Sequence, residues 1–152
     1  MKHPPYHLRP NKSVDRMAFI EAIGRLGNMG PLSEYTYYGL GGPYLEDFRL
    51  LYDYCPEVSM VSIEKDHETH IRQKFHAPRS LVVFEETDIK SFLRNYQPRD
   101  RRSIFWLDYT DLDYANIQDF MALLPKLPEL SMVKVTLRSD PQDFFDGVSD
   151  KP

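Results

Sequence analysis

The chain has a single cysteine among its 152 residues, Cys55. That scarcity excludes an intrachain disulfide and any zinc site built from several cysteines. No apolar run approaches the roughly 20 residues that a membrane-spanning helix needs. The opening MKHPPYHLRPNKSVDR has no apolar stretch behind its basic residues, so no secretory signal is expected there, no membrane partner is expected either, and a cytoplasmic protein fits best. There is no internal repeat, no low-complexity tract and no linker-like segment. Excess positive charge is also missing. The net charge is −4, which argues against a surface built to neutralise many phosphates and leaves nucleic acid a partner class without support from charge. Arg94, Arg99, Arg101 and Arg102 are a local exception, read as a solvated loop.

What is present is enough for one folded domain. Length suits a single unit. A hydrophobic fraction of 41% can fill a core, and 28% charged residues is an ordinary share. Short apolar runs alternate with helical spacing. Met17, Ile20, Ile23 and Leu26 predict an opening helix from near Ser13. TYYGLGG reads as a strand running into glycines. Leu45, Phe48 and Leu51 predict a helix that ends before Pro56. VSMVSIE is a buried strand, with Ile71 and Phe75 marking the helix behind it. LVVFEE, SIFWLDY and SMVKVTLR are three further strands. Ile89, Phe92, Leu93 and Tyr96 mark the helix after the first of these, and Ile117, Phe120, Met121 and Leu124 the helix after the second. Strand–helix alternation of this kind predicts an α/β fold, a parallel sheet with helices on both faces. Ligands of such sheets bind at the carboxyl ends of the strands, where the strand order reverses.

Each of the first four strands ends in glycine or a polar residue. Three of the seven glycines stand together in Gly39-Leu40-Gly41-Gly42-Pro43, where they permit a tight turn and close approach of backbone to a ligand. Glu64, about 20 residues further on, ends the second strand and is placed to accept hydrogen bonds from both hydroxyls of a ribose. A carboxylate opening a helix, where Glu64, Asp66 and Glu68 would suit the helix dipole, is the plainer reading. Asp88 follows the third strand, either as an N-cap or as acceptor for an exocyclic adenine amino group, and the two roles are compatible. Asp108 ends the apolar SIFWL run and is a candidate for orienting a substrate or taking its proton, with Asp111 as the cap of the next helix. His67 and His70 read as a solvated helix face rather than metal ligands. Cys55 reads as a buried filler. Tyr35, Tyr37 and Tyr38 read mostly as core, with Tyr44 or Tyr109 available to flank a ligand.

This order of features resembles the class I S-adenosylmethionine-dependent methyltransferases, over roughly Tyr35 to Arg138. TYYGLGGP is similar to their first motif, SIEKD to the second, ETDIKSFL to the third and IFWLDYTD to the fourth. The resemblance implies a Rossmann-like core of strand order 3-2-1-4-5 within one domain over residues 1–152, with an N-terminal arm and helix over 1–30 and the sheet core over 35–140. It implies S-adenosyl-L-methionine as cofactor, no metal, and methyl transfer to an unidentified acceptor. Gly39, Gly41, Gly42, Glu64, Asp88 and Ile89 would hold the cofactor, and Asp108 would be catalytic. The family has an acidic residue where this chain has Tyr37, and a glycine where it has Pro43. With those methionine-end contacts weakened, Arg9 or Lys12 is expected to meet the cofactor's carboxylate. The family also adds two strands after the fifth. A sheet lacking them is therefore expected, in a truncated chain whose fifth-strand edge invites self-association. Two alternatives stand beside this reading: another Rossmann-like nucleotide-cofactor enzyme, and a non-catalytic methyltransferase-like binding module. For a nicotinamide cofactor, the last glycine position of the fingerprint holds Tyr44, so the fit is poorer.

Overall fold

The structure is a computed structural model that describes residues 10–77, 82–98, 100–109 and 114–137. Five strands, β1 (Tyr35–Gly39), β2 (Ser59–Ile63), β3 (Val82–Glu85), β4 (Arg102–Tyr109) and β5 (Met132–Leu137), alternate with five helices. These are α1 (Pro10–Leu26), α2 (Glu46–Tyr54), α3 (His67–His76), α4 (Ile89–Asn95) and α5 (Tyr114–Leu123). The sheet order is β3-β2-β1-β4-β5 and every pairing is parallel, as the alternation and the resemblance implied. α1 begins at Pro10, three residues before Ser13, since a proline without N–H is tolerated in a first helical turn. Asp111, Arg9 and Arg99 lie outside the described residues.

β1 is the middle strand, and all five of its residues are buried. Tyr35 and Tyr37 point into one core with Met60, Ile104 and Trp106, closed by Phe19, Ile20 and Ile23 of α1 and Phe48 and Leu51 of α2. Tyr38 points the other way, into a second core with Val61, Phe105, Leu107, Leu93 of α4 and Leu123 of α5. Strands buried on both faces read as continuous apolar runs rather than alternating ones, which is why SIFWL was easy to place.

Two helix faces differ from the apolar pattern. On α3, Ile71 and Phe75 are exposed, while the polar His70 and Gln73 are buried. His70 packs edge-on against Phe84 and is no part of a solvated face. On α5, Ile117 and Met121 are exposed, as is Leu124 just beyond it, and Asn116 and Leu123 are buried. In both helices the inward face carries polar side chains with specific partners, a choice that hydrophobic periodicity cannot register. Cys55 is buried beside Gly24, as filler. Arg102 is held, not solvated: it pairs with Glu34 and lies over the Tyr35 ring.

The described residues make a five-stranded sheet, and β5 is half-buried along five of its six residues. It pairs with β4 from Ile104↔Met132 to Tyr109↔Leu137, and Val133 and Val135 pack on the second core. On the opposite face, Lys134 places Nζ 3.7 Å from the centroid of the Trp106 ring and 2.7 Å from Asp15 Oδ1 of α1. Helix and strand are thereby joined across the last strand.

This junction is testable. Lys134→Ala removes a cation–π contact and a partly buried ion pair, together worth roughly 1–2 kcal/mol. The denaturant midpoint, followed through the emission of the lone tryptophan, is expected to fall. An unchanged midpoint would show that α1 holds β5 without this lysine.

Candidate functional site

Two cavities open side by side at the carboxyl ends of β1, β2 and β4. The first, of about 360 Å³, is walled by the glycine turn and by side chains of α1 and α2. The second, of about 440 Å³, lies between β2, the start of α4 and the end of β4. Leu40, Glu64 and Asp108 belong to both walls. The pair therefore forms one cleft, bent around the point where the strand order reverses.

The glycine turn shapes the first cavity. Gly41 and Gly42 have φ of +65° and +55°, where a side chain is strained. A Cβ on Gly41 would lie 2.5 Å from Leu45 Cδ2 and 2.7 Å from Phe48 Cε2, so Gly41 is required by core packing. A Cβ on Gly42 would meet nothing within 4 Å; that space belongs to the cavity, open to close approach by a ligand. Gly39 lines neither cavity. Its missing Cβ leaves room for the Tyr37 hydroxyl, which would sit 2.6 Å away.

Glu64 follows β2 directly and is half-buried. Its backbone extends the sheet ladder, the Glu64 N–H donating to Glu85 O and the Thr87 N–H to Glu64 O. Its Oε1 accepts the Asp66 N–H at 2.8 Å. Asp66 itself lines neither cavity and caps α3, accepting the Thr69 N–H. Asp88 caps α4 by accepting the Ser91 N–H at 3.0 Å, and with Ile89 it lines the second cavity. That cap bond holds the Asp88 carboxyl below its ordinary value. Tyr109 lines the same cavity with its hydroxyl buried; burial, with Asp119 nearby, pushes that hydroxyl up to about 12, so it remains a proton donor.

The electrostatics of the first cavity come from α1. Lys12 Nζ lies 3.0 Å from both carboxylate oxygens of Asp108. One turn on, Arg16 Nε donates to Asp47 Oδ1 at 2.5 Å and its Nη2 approaches Glu46 at 3.5 Å. All five line the cavity. Burial raises the Asp47 carboxyl despite Arg16 beside it. Burial also raises the Tyr37 hydroxyl well above its usual range, Asp47 and Asp108 adding to the effect. Tyr37 therefore cannot stand in for an acidic residue. Asp47, entering from α2, brings a carboxylate to this end of the cleft instead.

Sequence reading thus located Gly41, Gly42, Glu64, Asp88, Ile89 and Asp108 on one cleft, and Lys12 at its wall. It missed Arg16, Glu46, Asp47 and Gln73. The only advance signal for the first three was the spacing of Lys12 and Arg16 on one helix face; nothing in the sequence connects Arg16 to residues 30 and 31 positions away.

Residues 4–151 match the family described as "Putative O-methyltransferase". No curated protein matches the sequence. Among solved structures, one described as a "probable spermidine synthase" from Corynebacterium glutamicum is similar at 18% identity and TM-score 0.64, over 79% of this chain and 46% of that one. The plantazolicin methyltransferase BpumL, in complex with a triazolic desmethylPZN analog and SAH, is similar at 14% identity and TM-score 0.55, over 82% of this chain and 48% of that one. A "putative caffeoyl-CoA O-methyltransferase" from Staphylococcus aureus is similar at 11% identity and TM-score 0.55, over 89% of this chain and 74% of that one. The chain spans about half the length of the first two. At such identities the likeness is one of fold, a Rossmann-like sheet of this order. No helix of the described residues is long and apolar enough to cross a membrane.

The Asp88 cap yields a prediction with a definite sign. Its folded carboxyl is held low, so the stability it supplies is present above the unfolded value near 3.9 and is lost as pH falls through the lower folded value. Asp88→Ala is expected to cost about 0.5–1 kcal/mol at neutral pH, the lower part of the capping range because the group is exposed. Urea midpoints taken from about pH 7 down to about pH 2 should show the two proteins converging in acid. A gap that persists there would contradict the cap.

Proposed function

The chain belongs to the family described as "Putative O-methyltransferase", and from that membership we propose that it binds S-adenosyl-L-methionine in the bent cleft and serves methyl transfer to an oxygen nucleophile. The observation that carries this reading is the shared wall at Glu64. A ligand with a ribose between an amino-acid arm and a base needs two compartments joined at a hydroxyl-binding carboxylate; Glu64 and Asp108 are the two carboxylates common to both walls, and with Asp108 tied to Lys12 through both oxygens it is Glu64 that is left for the hydroxyls.

The residues present fit the cofactor in charge as well as shape. Among the described lining residues, the first cavity sets four carboxylates, Glu46, Asp47, Glu64 and Asp108, against Lys12 and Arg16. That balance suits a ligand bearing an ammonium and a sulfonium against one carboxylate. Asp47 and Glu46 face the amino group in this assignment, Lys12 and Arg16 the carboxylate, and Gly42 the backbone beside them. Asp88 and Ile89 border the base, with the Tyr109 hydroxyl as a further donor. When bound, the cofactor supplies an electrophilic methyl group. The protein's own work is alignment and exclusion of water.

Asp108 stands at the junction of the compartments, tied to Lys12 through both oxygens. With a ligand carboxylate on Lys12, Asp108 would be the group at that junction to orient or deprotonate the acceptor. The structures crystallised with SAH support the choice of cofactor for the fold.

Glu64 is the test. Glu64→Ala removes charge-assisted hydrogen bonds to two hydroxyls and is expected to weaken SAH binding, read by calorimetry, at least about tenfold. Glu64→Gln should lose less, because its amide keeps one acceptor. Equal affinity in all three proteins would remove the ribose from this residue, and no binding by the parent chain would remove the methyltransferase reading.

A further inference from the structure

Gln73 projects from the middle of α3 to the carbonyls of the glycine turn that walls the first cavity, and is completely buried. A buried primary amide with unmet hydrogen bonds is costly. Here each of its polar atoms has a partner. Oε1 accepts the Ser62 hydroxyl of β2 at 2.8 Å, and Nε2 donates to Leu40 O at 2.9 Å and to Gly42 O at 3.0 Å. Ser62 lies opposite Gly39 in the β1–β2 ladder, two residues before Glu64. One side chain thus connects the strand that delivers Glu64 to the turn that delivers Gly42.

We propose that Gln73 is the positioning residue of the cleft, setting the glycine turn in its ligand-receiving shape and holding it in register with Glu64. The argument is one of constraint. Gly42 donates its N–H back to Leu40 O at 2.8 Å, closing a tight turn with two successive positive φ angles. Glycines that supply such angles have many alternatives, so the turn needs an outside restraint to keep one conformation. Gln73 takes hold of two carbonyls of that turn, at Leu40 and Gly42. The orientation of the amide is fixed in turn by Ser62, whose hydroxyl must donate to Oε1 and so leaves Nε2 facing the turn. A side chain serving packing alone would need none of these three bonds. Gln73 is also, with His70, one of the two buried residues of a helix whose apolar Ile71 and Phe75 face solvent, so α3 presents to the sheet a polar grip rather than an apolar face.

This inference rests on the methyltransferase reading only for the identity of the ligand; the restraint on the turn is independent of it. Two measurements on the full chain separate them. Hydrogen exchange of the Gly39–Leu45 peptide, without ligand, reads the restraint. SAH affinity by calorimetry reads its consequence. Gln73→Met keeps the length without polar atoms. It is expected to speed exchange in the turn and weaken SAH binding about tenfold, with exchange of β4 unchanged. Gln73→Glu presents a carboxylate to two carbonyls and is expected to do at least as much harm at neutral pH. Its loss relative to the parent chain should shrink as pH is lowered, since the protonated acid regains one donor; Gln73→Met should show no such recovery. Ser62→Ala, which leaves both donors in place, should cost about threefold and serves if the Gln73 variants fail to fold.

Parent chain and variants that bind SAH equally, with equal exchange in the turn, would overturn the role of Gln73 alone. A parent chain that binds no SAH would overturn the cofactor reading, and the exchange data would still decide whether Gln73 restrains the turn.

Discussion

Placing β1 between two parallel neighbours is the constraint on which the rest of the molecule depends. β2 flanks it on one side and β4 on the other, and both of its faces are covered, by α1 and α2 on one and by α4 and α5 on the other. No backbone hydrogen bond of β1 can be supplied by water, so its sequence is large and continuous, Tyr-Thr-Tyr-Tyr, and the Tyr35 and Tyr37 hydroxyls lie buried without a hydrogen-bond partner among the described residues. The chain can leave β1 only at its carboxyl end, and must turn at once toward α2. That turn is where Gly41 yields its Cβ space to Leu45 and Phe48. Leu45, with φ of 51° and full burial, shares the strain. Because β2 and β4 carry the chain away on opposite faces, the space above β1 stays open. The cleft is a consequence of the topology before any side chain lines it.

Charge then gives that opening its character. α1 sends two cations, one turn apart, to the rim, and each meets a carboxylate from another element: Lys12 with Asp108 of β4, Arg16 with Asp47 of α2. Partly buried pairs of this kind gain little net stability over apolar packing, since desolvation offsets most of the attraction. Burial raises the Asp47 carboxyl despite the Arg16 guanidinium, the direction that such an offset implies. Such pairs hold ionic groups in place at the wall of the first cavity. The Lys134 contact at β5 is different in kind, a clamp on Trp106 and Asp15 that ties α1 to the sheet.

Much of this was legible in the sequence, and the boundary is physical. Strands buried on both faces are apolar runs, so SIFWLDY and VSMVSIE declared themselves, and with the glycines and the acidic strand ends they placed Glu64, Asp88 and Asp108 on one edge. α2 was legible because Leu45, Phe48 and Leu51 all face inward. α3 and α5 were misread in orientation, because their inward residues include His70, Gln73 and Asn116, and a polar residue facing a core looks like a surface residue until its partners are known. The same holds for Arg16 and Asp47, whose meaning lies in a contact across 31 residues of chain. The strand order came from the resemblance as much as from the alternation, and the described residues form that five-stranded sheet.

The central claim is that one adenosyl ligand spans both compartments with its ribose at Glu64. A crystal structure of the chain with SAH tests it most directly. The account predicts both ribose hydroxyls on the Glu64 carboxylate, the base beside Asp88 and Ile89, and the amino-acid arm against Gly42 with its carboxylate near Lys12 or Arg16. A ligand bound elsewhere, or one confined to a single compartment with its ribose away from Glu64, would contradict it.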